Sequence, residues 1–158
     1  MEDLSLVLWR ERELLEALLY KLEIEKLVLA SGNSRWLATS AREVETILEL
    51  IRKTEVLRAI AADEAAASIG LSANPSLRAL AEAVDEPWRS ILLEHREAFI
   101  GYTRQITELA AANRELLTAG QLAAREAFLG LTEHADSYSP TGTVVSGGTG
   151  SRLLDRSI

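Results

Sequence analysis

Few side chains in this sequence could do chemistry, and the two histidines are the first to consider. His95 and His134 each follow a leucine, not a glutamate, by three residues: Leu92 and Leu131. The Glu-x-x-His pattern of di-iron helical bundles is therefore missing. Neither histidine has a second ligand four residues away, as a helical zinc site requires. We expect a hydrogen-bonded core imidazole at His95, a solvated one at His134, and no metal.

Other catalytic signatures are equally weak. Residues 147–151 read Gly-Gly-Thr-Gly-Ser, but this stretch lacks the lysine and the preceding strand of a phosphate loop. The sequence has no Gly-x-Ser-x-Gly nucleophile elbow. It also has no cysteine, which excludes disulfides, thiolate metal sites and cysteine nucleophiles. The sequence therefore predicts no enzyme activity and no cofactor.

Charge and hydropathy narrow the classes of partner. The 158 residues have a formal net charge of −7. Such a field repels phosphate backbones and anionic membrane surfaces, so we expect neither nucleic acid nor membrane as a partner. The start Met1-Glu2-Asp3 lacks the basic region of a signal peptide, and no apolar run approaches the roughly 18 residues of a membrane span. We expect a cytoplasmic protein without membrane insertion.

The elements that must position any binding residue are helices. Ala, Leu, Glu and Arg dominate the chain up to about residue 134, a composition typical of long helices and coiled coils. Leucines at alternating three- and four-residue steps predict a first helix over about Glu2 to Ala30, with polar interruptions at Glu11 and Glu25. Gly32 fits the left-handed position after its end.

The start of the second helix has two solutions. The apolar series from Leu37 onward favours a start at Ser34, whereas Ser40 and Glu43 have the spacing of a capping box. The helix should end near Gly70. A short helix is then expected over 75–83, capped by Asn74, because proline is favoured in a first helical turn.

A third main helix, opened by Asp85-Glu86-Pro87, has the clearest pattern. Apolar residues follow strictly alternating four- and three-residue steps, which predicts a seam that supercoils with a partner helix. We expect the first and second helices, or another chain, as its antiparallel neighbours. The seam consists of Trp88, Leu92, His95, Phe99, Tyr102, Ile106, Leu109, Asn113, Leu116, Gly120, Ala123 and Ala127.

These elements predict an all-α fold: an elongated antiparallel coiled-coil bundle of three main helices with a short connecting helix. The helical domain should cover 1–134. A flexible tail rich in Gly, Ser and Thr should cover 135–158, because such residues have little capacity to bury a core.

The side chains of the seam change in size along the third helix. Its first residues are large, whereas Gly120, Ala123 and Ala127 are small. Leu117, Phe128 and Leu131 fall on an adjoining line. The pattern fits either a second packing surface against the first helix or an exposed groove that captures an amphipathic helix. Asn113 also has two interpretations: it fixes the register of the bundle, or it bonds to a bound partner.

Seven short segments carry a family resemblance through their order along nearly the full chain. They are Leu8-Trp9-Arg10-Glu11-Arg12-Glu13-Leu14-Leu15-Glu16, Lys21-Leu22-Glu23, Arg42-Glu43-Val44-Glu45, Pro87-Trp88, His95-Arg96-Glu97-Ala98-Phe99, Asn113-Arg114-Glu115-Leu116-Leu117 and Tyr138-x-x-x-Gly142. Together they resemble the FlgN family of flagellar type III export chaperones.

The resemblance implies a chaperone that binds the C-terminal helical regions of hook-associated proteins, prevents their premature assembly and delivers them to the flagellar export gate. It implies that client binding maps to the C-terminal helix. It also implies that Tyr138, with Gly142, contributes to docking on the export-gate platform protein. The Gly-rich tail and the short helix near Pro75 depart from the family pattern.

We expect the client surface to follow the stretch where the seam becomes small. Its predicted members are Asn113, Leu116, Leu117, Gly120, Ala124, Phe128 and Leu131. Such a chaperone would be a monomer or a weak homodimer. The alternative is a homodimeric coiled-coil structural or adaptor protein, joined along the third helix, with no role in export.

Overall fold

The computed structural model describes residues 1–136, with side chains up to residue 131. All the elements in this part of the chain are helices, as predicted, and the all-α fold class is confirmed. The elements are α1 (Glu2–Ala30), a 3-10 turn (Ser34–Trp36), α2 (Leu37–Ser68), α3 (Leu77–Ala83) and α4 (Trp88–Asp136). The chain divides into two compact units, Met1–Thr118 and Ala119–Ile158. The predicted tail lies almost wholly outside the described residues, so its boundary at 134/135 stays a prediction.

In the first unit, α1 and α2 form an antiparallel pair. Lys21 Nζ lies 2.9 Å from Glu43 Oε2, and Arg58 Nε lies 2.8 Å from Glu11 Oε2. Residue numbers therefore increase along one helix in the direction in which they decrease along the other. The turn between the helices begins at Gly32, whose φ of +67° is the left-handed conformation expected after the end of a helix.

The direction of α4 differs in part from the prediction. Arg12 forms an ion pair with Glu94 at 3.1 Å, and Asn113 Nδ2 donates to the Leu22 carbonyl at 2.9 Å. Residue numbers therefore increase in the same direction along α1 and α4. The two helices are therefore parallel, and only α2 is antiparallel to α4. The expectation of two antiparallel neighbours was wrong because the chain reverses twice, once on each side of α2.

Two apolar clusters hold the helices of this unit together. In one, leucines of α1 and α4 meet small residues of α2, which lets the helices approach closely. Its buried members are Leu4, Leu8, Ala61, Ala62, Ala65, Ala66, Leu80, Ala81, Val84 and Leu92. The other cluster consists of Leu14, Leu18, Leu22, Ile51 and Leu109. Leu80 and Ala81 of α3, with Val84 directly after it, place this short helix on the first cluster.

Both polar interruptions of α1 have polar partners in the structure. Glu11 is buried and forms an ion pair with Arg58 of α2. Burial raises the pKa of Glu11, and the Arg58 guanidinium acts in the opposite direction. Glu25 accepts a hydrogen bond from Asn113 Nδ2 at 2.9 Å. A charged or polar group that would be costly alone is thus compensated across helices.

The boundary between α1 and α2 agrees with the earlier of the two predicted starts. Asn33 accepts a hydrogen bond from the Arg35 amide and caps the 3-10 turn, which leads directly into α2 at Leu37. Ser40 lies inside α2, where it is buried and its hydroxyl has no hydrogen-bond partner among the described residues. The capping box at Ser40 is therefore not used.

The predicted cap of α3 was wrong. Ser76 caps this helix by accepting from the Ala79 amide at 3.0 Å. Asn74 instead has a φ of +58°, and its amide donates to Asp63. The N-cap position requires an extended backbone, which Ser76 has and Asn74 does not. Helix α3 is accordingly shorter than predicted and begins at Leu77.

Candidate functional site

The seam of α4 is occupied along its first part. From Trp88 to Leu116 every seam residue is buried or half-buried. Leu92 and Leu109 lie in the two clusters described above, and Phe99 and Ile106 pack against them. This part of α4 is therefore an internal surface of the first unit, covered by α1 and α2 of the same chain.

His95 is part of this internal seam. It is only 1% exposed, and its ring packs edge-on against Trp9 with the ring centroids 5.0 Å apart. Neither ring nitrogen has a hydrogen-bond partner among the described residues. Burial lowers the pKa of His95; Arg12 acts in the same direction, and Glu94 opposes it. The core position is as predicted, whereas the predicted hydrogen bond is not formed, and the ring instead contacts the rings of Trp9 and Phe99.

Metal binding finds no support in the described part of the chain. Among the side chains that the structure describes, up to residue 131, no group of three His, Cys, Asp or Glu residues could hold a metal ion. The side chain of His134 lies outside the described residues.

Asn113 joins α4 to the C-terminal part of α1. It is buried, and its Nδ2 donates both to the Leu22 carbonyl and to the Glu25 carboxylate. Its Oδ1 is buried without a partner among the described residues. These contacts fit the interpretation that Asn113 fixes the helix register. A role in client binding stays a prediction.

An apolar groove lies beside Asn113. It has a volume of about 610 Å³ and is contributed by three parts of the first unit: the end of α1, the start of α2 and α4. The apolar residues on its walls include Leu22, Leu29, Leu37, Ala41, Ala110 and Leu117. Of the predicted client residues, the groove brings together Asn113 and Leu117.

Sequence reasoning missed two walls of this groove. Leu29 of α1 and Leu37 and Ala41 of α2 belonged to apolar series from which we predicted only the helices themselves. In the structure Leu29 and Leu37 are half-buried, and Ala41 is exposed. Their position at the ends of those series, next to the Gly32 turn, is the signal that could have distinguished them.

The second unit presents apolar side chains on α4. Phe128 is 65% exposed and Leu131 is 71% exposed, and Leu122 is also exposed. The small seam residues Gly120, Ala123 and Ala127, with the neighbouring Ala124, are exposed too. Single exposed leucines are common on proteins, but several large apolar side chains within three turns form a candidate interaction surface.

The remaining predicted positions are Leu116, Tyr138 and Gly142. Leu116 is half-buried in the first unit and is the last seam residue that the bundle covers. Tyr138 and Gly142 lie outside the described residues, so the structure says nothing of their surroundings.

A helical bundle with an apolar groove and exposed apolar side chains on its last helix defines a class of helical binding protein. A family model described as FlgN protein matches residues 1–146. The chain therefore belongs to the FlgN family, as the sequence segments predicted, and this membership implies a general role as a flagellar export chaperone. No curated protein and no solved structure matches the chain. None of the helices within residues 1–136 is sufficiently long and apolar to span a membrane.

Proposed function

We propose that this chaperone acts in the cytoplasm, where it binds the C-terminal helical regions of hook-associated proteins. It keeps these clients from premature assembly and delivers them to the flagellar export gate. The client surface comprises Asn113, Leu116 and Leu117 in the first unit, and Gly120, Ala124, Phe128 and Leu131 in the second. Binding needs no catalysis and no cofactor.

The observation that carries the proposal is the exposure of α4 after its covered seam. The sequence continues the heptad spacing to Ala127, yet the described structure leaves Gly120, Ala123 and Ala127 exposed. A helix with heptad spacing and an uncovered apolar side is suited to pack against a second amphipathic helix. Export clients that later form coiled coils present such a helix before they assemble.

The groove in the first unit supports the same type of binding. Its walls are mainly apolar, so a leucine-sized anchor that enters it leaves water, which contributes about 1.5–3 kcal/mol for a fully buried side chain. A client that fills the groove also covers Leu117. Asn113 and Leu117 thus belong to a concave surface, which offers a client more contact than an exposed side chain alone.

Introducing negative charge into the apolar surface tests client binding. Leu117→Asp combined with Phe128→Asp should abolish co-purification with a co-expressed hook-associated protein, because each aspartate would lie in the apolar contact. Circular dichroism should remain helical, since both side chains are exposed. Val56→Asp with Ile60→Asp is the matched control, because these α2 side chains are similarly exposed outside the proposed surface. Unchanged co-purification of the Leu117/Phe128 variant would contradict the assignment.

The proposed role of Tyr138 is separable from client binding. Tyr138→Ala should weaken binding to the export-gate platform protein, measured by pull-down of the chaperone–client complex. Client co-purification should remain at the wild-type level. Loss of both interactions would mean that Tyr138 has a structural role.

The alternative, a homodimeric coiled coil without an export role, would need the seam of the third helix as its interface. Between Trp88 and Leu116 that seam is covered by α1 and α2 of the same chain. Light scattering coupled to size exclusion separates the two models. A tight dimer that persists in the presence of client would favour the alternative.

A further inference from the structure

A second surface pocket, between α3 and α4, is lined by three arginines. It has a volume of about 560 Å³, and its lining consists of Arg78, Ala81, Glu82, Arg89, Leu93 and Arg96. Three guanidinium groups and one carboxylate make a local excess of positive charge on a chain whose formal net charge is −7. The proposed client surface includes none of these residues.

The three residues of α4 that line this pocket lie on one face of the helix. Arg89, Leu93 and Arg96 follow steps of four and three residues, which bring side chains to the same side of a helix. Leu93 lies between the two arginines and is 40% exposed. The face therefore has the order cation, apolar residue, cation.

Arg89 is held in place and retains free donors. Its Nε donates to the Ala81 carbonyl in the last turn of α3 at 3.3 Å, which fixes the guanidinium against that helix. Neither terminal nitrogen of Arg89 has a partner in the described part of the chain. A guanidinium has five N–H donors, so this contact leaves Arg89 able to bind a carboxylate in bidentate fashion.

The other two arginines have only exposed local partners. Arg78 pairs with Glu82 at 2.8 Å, and Arg96 pairs with its neighbour Glu97 at 2.6 Å. Exposed ion pairs between residues this close in sequence contribute little to stability. A partner carboxylate can exchange with them at little cost, and each guanidinium has further donors for it.

We propose that this pocket is a docking site for an acidic amphipathic helix of a partner protein. Arg89 and Arg96 are seven residues apart, which corresponds to about 10.5 Å along a helix axis. A partner helix with two glutamates seven residues apart matches that separation, and an apolar residue midway between them lies over Leu93. Arg78 on α3 supplies the third cation.

The mixed character of the pocket selects this kind of partner. The backbone positions of the two α4 arginines are separated by about 10.5 Å along the helix axis, a separation that two carboxylates one heptad apart on a partner helix match. Nucleic acid and anionic membranes expose many charges to the whole acidic chain, which repels them. A helix with only a few carboxylates meets local attraction, because charges beyond the Debye length of about 8 Å at physiological ionic strength are largely screened.

A designed peptide tests the spacing directly. The probe is a fluorescein-labelled Ala/Gln helix of about 20 residues, long enough to be helical in isolation, with two glutamates seven residues apart and a leucine midway. In fluorescence anisotropy, the full-length protein should bind this peptide with about tenfold higher affinity than it binds a second peptide in which both glutamates are replaced by glutamine. A peptide with the glutamates five residues apart should bind like the glutamine peptide. Equal affinity for the three peptides, or no binding by any of them, overturns the proposal.

Variants of the protein locate the binding site. Arg89→Gln with Arg96→Gln should remove the preference for the glutamate peptide. Arg42→Gln with Arg52→Gln is the matched control, because both side chains are exposed on α2 and the loss of positive charge is equal. If the control loses the preference to the same extent, net charge and not the pocket determines binding, and the proposal fails.

A second copy of this chain is the competing occupant. Sedimentation velocity of the wild type and of the Arg89/Arg96 variant distinguishes it from a partner protein. Self-association that the substitutions abolish would assign the pocket to a dimer and overturn our choice of partner. The test is independent of client co-purification, so either proposal can fail alone.

Discussion

Two stretches of α4 share one heptad pattern and differ in what surrounds them. Between Trp88 and Leu116 the seam is buried or half-buried in the first unit, whereas from Gly120 to Ala127 the seam residues are exposed. The spacing of apolar residues is unbroken across both. The pattern thus predicts that a helix can pack along a seam, but it does not predict whether the same chain supplies the partner.

The sizes of the seam residues explain why the two stretches differ. Trp88, Phe99 and Tyr102 remove large apolar areas from water when α1 and α2 cover them. Gly120, Ala123 and Ala127 offer little area, so covering them contributes little to folding. In this second stretch the larger apolar side chains, such as Phe128 and Leu131, lie off the seam. A binding surface can remain uncovered there at little cost to stability.

The largest expected difference between the stretches is the cost of truncating a leucine. Leu92 is 1% exposed, so Leu92→Ala should lower the free energy of unfolding by about 2–5 kcal/mol through lost burial and a cavity. Leu122→Ala removes the same atoms from an exposed site and should change the free energy of unfolding by no more than about 0.5 kcal/mol. Urea denaturation followed by circular dichroism measures both. Similar losses would mean that a partner, such as a second copy, covers Leu122 in solution.

A smaller effect concerns pH and is specific to the covered stretch. The pKa of His95 lies below its ordinary value of 6.5, so the unfolded chain binds the proton more readily than the folded one. Stability contributed by neutral His95 is therefore present above pH 6.5 and is lost as pH falls through the lower folded-state pKa. His95→Phe, which keeps an aromatic ring between Trp9 and Phe99, should remove this loss.

The measurement compares urea unfolding of the two proteins between pH 7.5 and the acid limit of reversible folding. Glu11 acts with the opposite sign, because its raised pKa adds stability as pH falls toward 4.5. Since Glu11 is common to both proteins, the difference between their curves isolates His95. A constant difference across the pH range would show that His95 does not titrate differently on folding.

Much of the fold could be predicted because periodicity and end signals act locally. The bounds of α1 agree with the leucine spacing and with Gly32, and the seam of α4 is buried where its residues are large. Local signals misled where two residues compete for one role. Asn74 and Ser76 are both good capping types, and the left-handed backbone at Asn74 decided between them.

The candidate site was only partly predictable because it depends on contacts between distant elements. Leu117 was identified from α4 alone, but the groove that it lines also needs Leu29 and Leu37. Periodicity assigns such residues to a helix face and does not say where the face ends. Likewise, no local signal shows that Glu25 would accept from Asn113, or that Arg78 would lie near Arg89.

The smallest expected effect uses two glycines of α4, one in each stretch. A Cβ added at Gly101 or Gly120 would meet nothing within 4 Å, so Gly→Ala at either site adds helix propensity without a clash. Gly101→Ala should raise the free energy of unfolding by about 0.5–1 kcal/mol. Gly120→Ala should instead slow amide exchange locally around residue 120 and leave global urea unfolding nearly unchanged. Equal increases in global stability would mean that the exposed stretch unfolds together with the bundle. Low local stability would then not explain why this stretch is exposed. Its availability to a client would instead depend on the packing of the whole helix.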